Sequence, residues 1–188
     1  MDSLVPAFIA VLIASATDRN AWLAAILGER YRAPARLWAG IVLAQIALAA
    51  IAVGGAAMVR PMMNERSGAL LLALAMLAAG MGMMFRTRQP DRLERWRLGA
   101  AINSFVGTFL LGFGERAQFL LFALAVQGPY PWLAGVGGAL GSAVAIIPAL
   151  MLGEAGWRAL PLRAISVAGG VAFLLIGAFE MLSAIEII

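Results

Sequence analysis

The sequence predicts an all-α membrane protein of six transmembrane helices, built as two inverted repeats of three helices each (3+3). Three observations predict it. The chain of 188 residues is 63% hydrophobic and only 13% charged, with a mean hydropathy of +0.91, whereas soluble domains are about half apolar and about a quarter charged. Its arginines gather in alternate connections between apolar runs. The second half of the chain also lies over the first, without a gap, when shifted by 97 residues.

The apolar runs cover residues 4–27, 37–59, 68–85, 102–126, 132–152 and 165–185, each about long enough to cross a ~30 Å hydrocarbon core. In the first run Ala14-Ser15-Ala16 looks like a small-residue cleavage site. The leader Met1-Asp2-Ser3-Leu4 carries an acid and no basic segment, so the run is expected to be a retained helix rather than a signal peptide. The second run holds a lone amide, Gln45, read as a helix–helix hydrogen bond. Met81, Met83 and Met84 in the third run read as flexible packing. The glycines of residues 135–142 in the fifth read as a face for tight helix packing. Glu180 in the sixth lies toward a membrane interface. The connections are short and leave no room for a soluble domain.

Orientation follows from arginine counts. The first connection holds Arg30, Arg32 and Arg36, the third Arg86, Arg88, Arg92, Arg95 and Arg97, and the fifth Arg158 and Arg163. The second has Arg60 and Arg66, and the fourth, residues 127–131, has none. Positive charge stays inside. Connections one, three and five are therefore expected in the cytoplasm and both termini outside, in a bacterial-type inner (plasma) membrane. The net charge of +4 comes entirely from arginine and is explained by this rule, without a nucleic-acid partner.

There is no cysteine and no histidine. Disulfides, thiolate nucleophiles, Cys/His metal sites and a Ser-His-Asp triad are excluded. No second aspartate lies in a span to build an intramembrane protease, so the chain does not read as an enzyme. Any bound metal must be held by oxygens, which suits Ca²⁺, Mg²⁺ or Mn²⁺.

The longest connection divides the chain into repeat one (1–85), a basic linker (86–99) and repeat two (100–188). Under the 97-residue shift Phe8 falls on Phe105, Pro34 on Pro131, Gly40 on Gly137 and Gly80 on Gly177. The charged pair Asp18-Arg19 falls on Glu115-Arg116. An odd number of spans per repeat turns the second copy upside down, the plan of secondary transporters with a midplane site at the repeat interface.

Polar groups cluster around both pairs: Ser15, Thr17, Asp18, Arg19 and Asn20 in the first copy, and Asn103, Ser104, Thr108, Glu115, Arg116 and Gln118 in the second. A charge at the centre of a span costs roughly 2.5–3.5 kcal/mol and marks paired groups or a pathway. Neighbours on a continuous helix point about 100° apart, so the expected pairs cross the repeats, Asp18 with Arg116 and Glu115 with Arg19. Gly112 and Gly114 permit a locally unwound or closely packed backbone beside the acid. Two structural salt bridges joining spans one and four are the alternative.

Two helices opening their repeats with an acid and a base resemble the Gdt-type Mn²⁺/Ca²⁺–proton exchangers, relatives of human transmembrane protein 165 within the LysE transporter superfamily. That family carries Glu-x-Gly-Asp-(Lys/Arg)-(Thr/Ser) in each copy. Here Ser15, Thr17, Asp18, Arg19 and Asn20 stand at the Glu, Gly, Asp, base and hydroxyl positions, and Gly112, Gly114, Glu115, Arg116 and Ala117 at their counterparts. The likeness extends over the whole chain, including residues 28–34 and 161–177. It implies cation/proton antiport with Asp18 and Glu115 as substrate- or proton-binding carboxylates and metal ligands. Ser15, Thr17, Asn20 and Gln118 would be neutral ligands, and Arg19 and Arg116 charge partners. No cofactor is implied, and Mn²⁺ or Ca²⁺ would be the transported substrate. The implied partners are the lipid bilayer, a small ion or solute and protons, with a homodimer left open. Four family carboxylates have become two, and the cluster is formally neutral. Export of a small charged or zwitterionic organic solute, or a non-transporting membrane scaffold, therefore stay open as alternatives.

Overall fold

The computed structural model of the protein describes residues 3–93, 96 and 98–185. Met1 and Asp2, the linker residues Glu94, Arg95 and Arg97, and residues 186–188 lie outside this part. The described residues form α1 (Leu4–Ser15), α2 (Arg19–Tyr31), α3 (Pro34–Val59), a 3₁₀ turn (Arg60–Met62) and α4 (Glu65–Met84). The second half continues with α5 (Ala100–Gly112), α6 (Arg116–Gln127), α7 (Pro131–Ala159) and α8 (Leu162–Ala184). Helices α3, α4, α7 and α8 are each long and apolar enough to cross a bilayer. The bent pairs α1–α2 and α5–α6 raise the candidate spans to six if each pair is one span.

Those bends correct the expectation of continuous first and fourth helices. The chain turns by 66° between α1 and α2 and by 69° between α5 and α6. At the first break Asp18 adopts an extended backbone and its side chain accepts the Ala21 N–H at 2.9 Å. A short acidic side chain bonded to the backbone in this way starts a new helix instead of continuing the old one. At the second break Gly114 sits at φ +74°, a left-handed conformation that ends a right-handed helix and favours glycine. Pro34 and Pro131 each open the next helix at its first turn, where a missing N–H costs nothing.

The polarity of the packing is turned inside out relative to a soluble protein. Leu43, Ile51, Leu110, Leu140, Leu175 and Phe179 are exposed, while Asp18, Asn20, Gln45 and Asn103 are buried. Apolar side chains on the outside and polar groups gathered inside is the arrangement a bilayer favours.

Helices approach through small residues. A side chain at Gly40 would overlap the Ala101 carbonyl oxygen, and one at Gly137 the Leu4 carbonyl oxygen. A Cβ at Gly80 would lie 2.8 Å from the Gly170 oxygen and 3.0 Å from the Leu174 nitrogen. One at Gly177 would lie 3.1 Å from the Ala73 oxygen and 3.0 Å from the Leu77 nitrogen. Each contact between residues i and j thus recurs between i+97 and j−97. The starts of α2, α3 and α4 likewise recur 97 residues later as the starts of α6, α7 and α8.

The correspondence fails in one place. Helix α6 packs along α4, but its counterpart α2 makes at most marginal contact with α8.

Candidate functional site

The two breaks face each other across a cavity of about 20 Å³, room for about one water molecule. Its wall includes Ser15, Asp18, Asn20 and Gln45 from the first half, and Gly112, Glu115, Ala117 and Ser142 from the second. These are four pairs at the same spacing of 97 residues. The end of α1 and the start of α2, like the end of α5 and the start of α6, bring unpaired carbonyls and amides of opposite dipole sign to one place.

Ser15 is the last residue of α1, and its hydroxyl lies 3.3 Å from that of Ser142 on α7. Asp18 is 2% exposed, caps α2 through the Ala21 bond, and lies within electrostatic reach of Glu115 and Arg116. Asn20 donates from Nδ2 to Glu115 Oε2 at 3.3 Å, and its buried Oδ1 has no hydrogen-bond partner among the described residues. Gly112 makes that contact fit, because a Cβ there would lie 3.2 Å from Asn20 Nδ2.

Glu115 occupies the cap position of α6 without capping it. Its carboxylate instead meets Asn20 and the Nε of Arg19, at 3.6 Å. Arg19 is half-exposed, with 48% of its side chain accessible. Of the two cross-repeat pairs expected, Arg19–Glu115 forms. Asp18 and Arg116 form no ion pair among the described residues. Arg116 donates to the Ala14 carbonyl at 3.1 Å and the Gly82 carbonyl at 3.4 Å instead, and one buried guanidinium nitrogen has no partner among the described residues.

Gln118 also lines the cavity, but its amide serves the backbone. It accepts the Gly114 N–H at 2.6 Å and donates to the Leu48 carbonyl at 3.5 Å. Thr17 lies apart from the cluster, on the wall of a second cavity between α2 and α8. Asn103 and Ser104 are occupied elsewhere, Asn103 by Tyr31 and the Trp96 carbonyl, and Ser104 by the Ala101 carbonyl.

Sequence reasoning assigned Gln45 and Ser142 to packing, yet both line the cavity. The signal was present, because the two positions superpose under the shift that aligned the charged pairs. Every candidate donor in the wall is an oxygen or an amide, the ligand type of hard divalent cations. Among the described residues no group of three or more acidic side chains gathers, so an ion here would rely on two carboxylates and neutral oxygens.

No curated protein and no solved structure matches the chain. The family model described as divalent cation/proton antiporter GDT1 matches residues 3–91 and 100–187. The two matched segments begin 97 residues apart, at the spacing that pairs the cavity residues. The family is one of transporters and not of enzymes. With the match spanning both halves, and both helix breaks falling inside it, the chain belongs to the GDT1 family of divalent cation/proton antiporters.

Proposed function

We propose that the protein exchanges Mn²⁺ or Ca²⁺ for protons at the cavity between the two helix breaks. One observation carries this reading: both interrupted helices restart at the same small cavity, and each brings one carboxylate to it. Interrupted helices whose exposed ends line an ion site are a recurrent device of secondary transporters.

Asp18 and Glu115 are the charged ligands, and Ser15, Asn20, Gln45 and Ser142 supply neutral oxygens. The buried Asn20 Oδ1 is an acceptor without a donor among the described residues, which favours a cationic occupant. Ion and protons compete for the same carboxylates, and this competition couples the two flows. Arg19 competes as well; its half-exposed side chain leaves Glu115 when the ion arrives.

The proposed frame is six spans in two inverted repeats, residues 1–85 and 100–188, joined by the basic linker 86–99. Both termini lie outside and the linker in the cytoplasm of a bacterial-type plasma membrane. The 97-residue recurrence of helix starts and contacts and the arginine-rich connections support this frame.

A second reading, export of a zwitterionic organic solute, is favoured by the Arg19–Glu115 pair, which would receive opposite charges. The cavity of about 20 Å³ holds one water and no amino acid, so that reading also needs the halves to separate. Flux in proteoliposomes distinguishes them. An imposed pH gradient is expected to drive Mn²⁺ or Ca²⁺ uptake, and D18N and E115Q each to lower it at least tenfold. Wild-type cation flux in both variants would overturn the assignment.

A further inference from the structure

Where α2 and α8 fail to meet, the molecule opens a cavity of about 860 Å³. Its wall carries Arg86, Arg88, Arg158 and Arg163 and no acidic side chain among the described residues. Glu154 holds Arg158 at 2.7 Å, whereas Arg86, Arg88 and Arg163 pair with no acid among the described residues. Thr17, 2% exposed, lines the same space, and its buried hydroxyl has no hydrogen-bond partner among the described residues. Helix α8 begins in this wall without a side-chain cap, adding the positive end of its dipole.

Keeping positive charge on one side of a membrane explains arginines in these connections. It does not require several of them to converge on one concavity beside a buried hydroxyl that lacks a partner. The cavity at the other end, of about 560 Å³, shows the contrast, because Arg60 there is accompanied by Glu65. Like charges around a common space repel, and an anion entering it removes that cost. Guanidinium groups match phosphate oxygens in pairs, and basic pockets between membrane helices suit phosphate headgroups.

We propose that this vestibule binds a phosphate-bearing anion, held by Arg86, Arg88 and Arg163 and receiving a hydrogen bond from the Thr17 hydroxyl. The phosphate group comes either from an anionic phospholipid or from free phosphate. Trp22, Phe85 and Leu162 in the same wall offer an apolar flank to acyl chains if a lipid supplies it. The site stands independently of the exchange reaction.

The test uses the purified full chain in maltoside micelles, which contain no phosphate. Thermal unfolding is followed while inorganic phosphate is titrated against potassium chloride at equal ionic strength. In a second arm phosphatidylglycerol is titrated against phosphatidylcholine. A saturable rise in the unfolding midpoint is expected in at least one arm, since a ligand bound only to the folded state stabilises it. A response to phosphate identifies the free anion as sufficient, and a response to phosphatidylglycerol alone identifies the lipid. The R86Q/R88Q/R163Q variant should weaken the apparent affinity at least tenfold and T17V about threefold, with R60Q unchanged. R163Q alone, at an exposed position, keeps the comparison readable if the triple variant does not fold. No saturable response in either arm, or one that survives R163Q and the triple variant undiminished, would overturn the proposal.

Discussion

At the first break Asp18 turns its carboxylate back onto its own helix, accepting the Ala21 N–H at 2.9 Å. At the second, Glu115 holds the equivalent position, makes no such bond, and reaches across to Asn20 and Arg19. One additional methylene accounts for the difference in reach. At the second break the Gln118 N–H, counterpart of the Ala21 N–H, bonds to the Glu115 carbonyl at 3.0 Å, and the Gln118 side chain accepts the Gly114 N–H at 2.6 Å. The arginines diverge in the same manner. Arg19 is half-exposed and faces an acid, while Arg116 points inward and ties two backbone carbonyls together. Positions that superpose along the chain therefore hold different jobs. One half supplies a fixed acid and a movable base, the other a movable acid and a fixed base.

The arginines offer the largest way to break this contrast. R116A removes charged hydrogen bonds to the Ala14 and Gly82 carbonyls and should cost about 1.5–3 kcal/mol. R19A removes a half-exposed pair and should cost about 0–1 kcal/mol. Equilibrium unfolding in mixed micelles measures both, and equal losses would erase the distinction. G114A comes next, at about 1–2 kcal/mol, because it places a Cβ in left-handed backbone. At Thr17, the superposed position in the first break, an alanine meets no such backbone cost, since Thr17 does not sit at positive φ. The smallest effect separates the acids. D18A should lose about 1 kcal/mol of capping, and D18N should retain most of it, because asparagine caps as well as aspartate. E115A gives up no cap, and a loss equal to that of D18A would show the two carboxylates to be structurally equivalent. D18N then becomes the sharpest variant for transport: folded to wild-type stability, with its charge removed.

Much of this arrangement could be read from the chain. Length and hydropathy showed the candidate spans, and the shift that laid Asp18-Arg19 on Glu115-Arg116 also located the residues that share a cavity. The breaks were less legible. An acid, a base and an amide inside an apolar run look the same whether they decorate a continuous helix or cap a new one. The choice depends on the Asp18–Ala21 bond, a three-dimensional detail, although Gly114 beside Glu115 hinted at it. Gln45 and Ser142 read as packing because each is a lone polar side chain in its apolar run, 37–59 and 132–152, and only their pairing is informative. The gap between α2 and α8 was beyond reach altogether. It is a difference in how two similar halves pack, and similar sequences cannot announce it.

The small cavity carries one more consequence. With space for about one water, it admits an ion only after the ion has surrendered nearly all of its hydration shell. Magnesium dehydrates reluctantly and demands near-ideal octahedral geometry, whereas calcium tolerates irregular oxygen cages. For the exchange proposed above, discrimination among divalent ions of equal charge would then arise from the work of stripping water at the threshold, before any carboxylate is engaged.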